Sequence, residues 1–161
     1  MAGMFTLLHR RASAQPRTEA DLLRLGNVLL DELFRASPAG PVPMGRMRGT
    51  LLAFPGSRAA RPIAAFARAL LWQGKVVDAE QTSLKNLVTP LRLRAIKAAV
   101  STAASWVDGD PTVLIDYSRT SRVAGMVRDE IRLVGPGLYL GVVWMWRRRV
   151  GWFALRPQGT K

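Results

Sequence analysis

From Thr18 onward, apolar residues recur three and four positions apart: Leu22, Leu25, Leu29 and Leu33, with Val28 and Phe34 beside them. That spacing predicts one amphipathic helix of about 18 residues, capped by Thr18 with Asp21 three residues later. Ser37-Pro38-Ala39-Gly40-Pro41 breaks it. Gly45 to Leu52 then reads as a strand, and Phe54-Pro55-Gly56 as a turn. A second helix is predicted from Arg61 to Leu71, with Ile63, Phe66, Ala67, Leu70 and Leu71 on its apolar stripe.

Beyond Lys75 the period changes. Val76 to Thr89 alternates loosely and carries β-type residues. Leu91 to Ala104 fits either period, its alanines suiting a helix and its alternating arginines a strand; strand is the reading adopted. Asp108-Gly109 is a hairpin signal. Thr112 to Tyr117, Gly125 to Val134, Leu138 to Trp146 and Val150 to Arg156 read as strands, with turns at Gly135-Pro136-Gly137 and Arg147-Arg148-Arg149. The pattern as a whole predicts an α+β domain. Two helices accompany an antiparallel β-meander that closes into a barrel or a strongly curled sheet, since closure removes exposed edges. The expected organisation is a flexible segment over 1–17, one domain over 18–157 and a tail over 158–161.

Composition narrows the chemistry. The 161 residues include no cysteine and a single histidine, His9. Disulfides, thiolate metal sites, a cysteine nucleophile, multi-histidine zinc and Ser-His-Asp catalysis therefore lack their parts. No P-loop, G-x-G-x-x-G or G-x-S-x-G occurs. No metal and no cofactor is expected, so any reaction would be acid/base chemistry of isomerase, cyclase or lyase type.

Lys and Arg number 24 against 11 acids, a net charge of +13. No acid occurs between Leu33 and Val77 or after Glu130. Such an excess suits an anionic partner. The arginines are scattered through apolar segments instead of gathered in one arm, which disfavours nucleic acid and leaves an anionic membrane surface as the better macromolecular partner. The longest apolar run, Leu138 to Trp146, is too short for a helical span of about 20 residues. Met1 to Leu8 carries its charge after its apolar stretch, the reverse of a secretory signal. A cytoplasmic protein is expected, with peripheral membrane contact as the second option.

Gly45-Arg46-Met47-Arg48-Gly49, the following helix, Trp72-Gln73-Gly74-Lys75 and the terminal Trp152-Phe153-Ala154-Leu155-Arg156 come in the order seen in a bacterial family. Over residues 22–156 the chain resembles the GXWXG-type lipocalin-like proteins. Met47 stands at the family's tryptophan, and Asp116-Tyr117 reverses its Tyr-Asp pair. The resemblance implies a small lipocalin-like barrel and a small hydrophobic or amphipathic ligand, without implying a reaction.

Asp129 is the most informative polar residue. Alternation puts it on one strand face with Val127, Ile131 and Leu133, and puts Arg128, Glu130 and Arg132 on the other. A carboxylate among aliphatics needs an arginine or a ligand group as partner, or a raised pKa; a bulge would instead bring it to a rim. With Tyr117 and Arg128 it forms the candidate catalytic set. Asp116 and Tyr117 are adjacent, so only one of them can enter a cavity. Trp72 and Lys75, where helix gives way to strand, are candidate plug and anion contacts. Met47, Asp116, Tyr139 and Trp144 complete the candidate ligand-binding residues. Trp144, Trp146 and Trp152 with Arg147, Arg148 and Arg149 have the composition of a membrane-interface contact or a base-stacking platform, or of ordinary barrel packing with an arginine-rich turn.

Overall fold

The computed structural model describes residues 18–53, 75–77, 83–86, 96–118 and 126–157. The expected leading segment 1–17, tail 158–161, the helix over 61–71 and Trp72 lie outside them.

The single helix expected from Thr18 is two. α1 spans Glu19–Leu23 and α2 spans Asn27–Ala36. Thr18 and Asp21 close a reciprocal cap on α1: the Thr18 hydroxyl accepts from the Asp21 N–H at 3.3 Å, and Asp21 accepts from the Thr18 N–H at 3.0 Å. Apolar spacing runs unbroken through Leu25, but Gly26 interrupts it. Glycine loses more backbone freedom in a helix than any other residue. Gly26 is extended and serves as the N-cap of α2, its carbonyl accepting from the Leu30 N–H at 3.0 Å. Ser37 and Pro38 stop α2, with the Ser37 hydroxyl donating to the Leu33 carbonyl at 2.6 Å.

Eight strands follow: β1 Gly45–Ala53, β2 Lys75–Val77, β3 Ser83–Asn86, β4 Ile96–Ala104, β5 Pro111–Asp116, β6 Val127–Gly135, β7 Leu138–Met145 and β8 Arg148–Pro157. All pairings are antiparallel. β4, β5, β6, β7, β8 and β1 make a continuous six-stranded sheet, in which β8 returns to β1 with Met47 opposite Pro157 and Leu51 opposite Phe153. The short β2 and β3 pair with each other, β2 also with β1 and β3 with β4. The architecture is an α+β fold built on an antiparallel sheet. The ambiguous stretch ending at Ala104 is extended from Ile96.

Two apolar clusters lie on opposite faces of the sheet. The helix face packs Leu22, Leu30, Leu33 and Phe34 against Val134, Leu138, Leu140, Val142, Trp152 and Ala154. The Phe34 and Trp152 rings meet at 5.7 Å. The other face gathers Met47, Val113, Ile115, Tyr117, Val127, Ile131, Tyr139, Val143, Phe153 and Leu155, among others. Gly141 lies beneath Phe153: a Cβ there would sit 2.2 Å from Cζ of the ring, so only glycine leaves the ring its place.

The last hairpin turns one residue earlier than the arginine run suggests. Trp146 and Arg147 form the two-residue turn, with φ of +47° and +62°, and β8 begins at Arg148. Two consecutive positive φ values match the right-handed twist of the flanking strands, as in type I′ hairpins.

Candidate functional site

On the face turned away from the helices, Asp129 is buried between Ile115, opposite it on β5, and Val143, opposite it on β7. Alternation along β6 puts it there with Val127 and Ile131. Tyr117 follows β5 by one residue and is fully buried; its hydroxyl donates to Asp129 Oδ2 at 3.1 Å. The structure thus brings together two of the three residues of the expected catalytic set, in a surround of aliphatic side chains. A phenol hydrogen-bonded to a carboxylate can pass one proton between them and present oxygen to a third group. Met47 and Tyr139 belong to the same cluster. The Tyr139 hydroxyl donates to the Pro41 carbonyl at 2.9 Å, and burial pushes its phenol pKa up.

Arg128 does not join them. It lies on the helix face, as its neighbour relation to Asp129 requires. Its Nε donates to Glu130 Oε1 at 2.8 Å, its Nη2 to the Ala104 carbonyl at 2.8 Å, and its guanidinium lies 4.3 Å over Trp106. Asp116 also turns away from Tyr117; its Oδ1 accepts from the Ser118 N–H at 2.8 Å in a local turn. Trp144 is half-buried on the helix face, its ring edge-on to Trp106 at 5.7 Å. It is no ligand contact on the Asp129 face: the loop over 105–110 folds back and covers it. Lys75 sits in β2 with its Cα opposite Met47 and Asn86.

Two buried charges on the helix face were not singled out by sequence reasoning. Glu130 accepts from the Ser105 hydroxyl at 2.5 Å and from the Trp106 N–H at 3.0 Å. Arg132 grips both carboxylate oxygens of Asp108, at 2.6 and 2.8 Å, and donates to the Phe34 and Asp110 carbonyls at 3.0 and 3.1 Å. The Arg132 guanidinium holds the Asp108 carboxyl below its ordinary range. The Asp108-Gly109-Asp110 turn was a visible signal of carboxylates near a strand end, but its partners lie more than twenty residues away in sequence. Together Glu130 and Arg132 pin the 105–110 loop and the end of α2 to the sheet.

The arginine run divides. Arg147 and Arg148 are exposed, Arg147 with its guanidinium 4.7 Å over Trp106. Arg149 pairs with Asp31 of α2 and lies 5.1 Å over Trp152. Burial alone would raise the Asp31 pKa, but hydrogen bonds and charge from Arg35 and Arg149 outweigh it and hold the carboxyl low. Among the described residues no three His, Cys, Asp or Glu side chains gather as a metal site would require.

No family model matches the chain, and no curated protein does. A crystal structure of a protein from Thermomonospora curvata superposes with a TM-score of 0.60 at 14% identity, over 84% of this chain and 89% of that one. At that identity the likeness is one of fold alone.

Proposed function

We propose that the sheet acts as a lipocalin-like barrel whose interior takes a small apolar or amphipathic molecule, with Tyr117 and Asp129 as its polar contact. One observation carries the reading: a phenol–carboxylate pair is placed at the centre of an aliphatic face where packing alone would favour apolar side chains. The circle of strand pairings supports an enclosed interior. In a catalytic version of this reading, Asp129 is the base and Tyr117 the proton donor. Arg128 has no part in it.

Native mass spectrometry of the purified protein tests for a retained molecule. Titration with a naturally fluorescent polyene alcohol, whose hydroxyl can donate to Asp129, then compares the parent with Tyr117→Phe and Asp129→Asn. Both variants should weaken binding by about tenfold or more, the loss of one hydrogen bond to a charged group. A parent that retains no small molecule, and binds the probe no better than the variants do, refutes the reading.

A further inference from the structure

Trp146 is held where a bulky residue is least at ease. Its φ of +47° falls in the left-handed region, which hairpin turns normally fill with asparagine or glycine. The side chain gains no burial in return, since 65% of its surface is exposed. Met126 stands beside it, its carbonyl accepting from the Trp146 N–H at 3.2 Å, and is itself 36% exposed. Arg147 and Arg148 follow directly. Among the described residues no carboxylate pairs with either, whereas Arg149 is held by Asp31. Backbone strain of this kind clusters at functional sites.

The chemistry selects that partner. A base-stacking platform needs open aromatic faces in series. Trp106 already carries the Arg128 and Arg147 guanidiniums at 4.3 and 4.7 Å, Trp152 is buried, and Trp144 is edge-on to Trp106. Trp146 is the most exposed ring among the described residues, on a turn with two cations that no described carboxylate pairs, and that combination suits a bilayer surface instead. There an indole settles among headgroups while arginines meet lipid phosphates. We propose that the β7–β8 hairpin tip docks on anionic membranes, with Trp146 and Met126 entering the interface and Arg147 and Arg148 on its phosphates. No helix among the described residues is long and apolar enough to cross a membrane. The proposed contact is independent of the Tyr117–Asp129 pair.

The full chain is sedimented with vesicles of phosphatidylcholine alone and with vesicles mixed with phosphatidylserine, at low and high salt. The parent should pellet with the anionic vesicles only and be released by salt. Each arginine near such a surface is worth about fivefold in affinity. Arg148→Ser should therefore lose about that much, and Arg147→Ser with Arg148→Ser about thirtyfold. Trp146→Asn removes the inserted ring and should cost about tenfold or more. It fits the turn, so it should melt no lower than the parent, which separates lost contact from lost fold. The proposal is overturned if the parent pellets equally with neutral vesicles or if the variants bind like the parent. It is also overturned if the chain prefers single-stranded RNA to the vesicles, or if the tip instead pairs two copies of the chain.

Discussion

Replacing Asp108 by alanine is expected to destabilise the protein far more than its position in a turn suggests. The Arg132 side chain is 1% exposed and Asp108 12%. Removing the carboxylate strands a buried guanidinium, a change that costs about 3–5 kcal/mol when no partner remains. Arg132 keeps three carbonyl acceptors, on Phe34, Arg35 and Asp110, and its contact 4.6 Å over the Phe34 ring. That places the cost near the lower end, about 3 kcal/mol, or a drop in melting temperature of about 6–12 °C for a chain of this length. Arg132→Met should cost less, about 1–3 kcal/mol, because methionine fills the stem's volume and the more exposed Asp108 can turn to water. The two changes combined should show a coupling of at least about 1 kcal/mol. Acid supplies a second arm. The Asp108 carboxyl titrates lower in the folded protein than its ordinary 3.8. The pair's contribution is therefore complete above that value and is lost as pH falls through the lower folded value. Asp31 acts in the same direction. Thermal unfolding followed by circular dichroism from neutral pH to about pH 3 should show a shallower acid loss for Asp108→Asn than for the parent. If Asp108→Ala melts within about 2 °C of the parent at neutral pH, the bridge is not a structural tie and the reasoning fails.

Gly141→Ala should lose about 1–3 kcal/mol in urea unfolding because its methyl group collides with the Phe153 ring, and adding Phe153→Leu should recover part of that. Tyr117→Phe should lose about 1.5–3 kcal/mol by the same measurement, since it removes a donor from a buried carboxylate. Trp146→Gly should raise the melting temperature by about 2–4 °C, through relief of roughly 1 kcal/mol of left-handed strain; a lower melting temperature would show that the indole packs in solution.

Alternation made the sheet legible, because β5, β6 and β8 carry β-branched and aromatic residues between clear turn signals. It also placed Asp129 correctly relative to Val127 and Ile131. Alternation alone does not say what covers the second face of a strand; here that face is covered by α1, α2 and the 105–110 loop, so apolar residues, Trp144 among them, crowd both sides of β7. Arg132 and Glu130 were hidden for the same reason: nothing local announces that a charged residue will be buried when its partner arrives from a distant turn. The helix break at Gly26 was a contest between apolar spacing and backbone entropy, and a tally of spacing cannot decide it. The hairpin turn was read one residue late because Trp146 breaks the preference for small residues at positive φ.

The burial of β7 on both faces bears on how the chain is made. Leu138 to Met145 contains no charge, and the strand is flanked by partners on both sides only once β8 has been synthesised and paired. Until then it is a β-prone, uncharged segment with one open edge, the kind that templates aggregation between chains. Gly135-Pro136-Gly137 bounds it on one side and Arg147-Arg148-Arg149 on the other. A proline that cannot extend a ladder and three cations that repel their copies act as gatekeepers for the newborn strand. Neutralising Arg147 and Arg148, which no described carboxylate holds, should therefore lower the yield of soluble protein even where the finished fold melts as before.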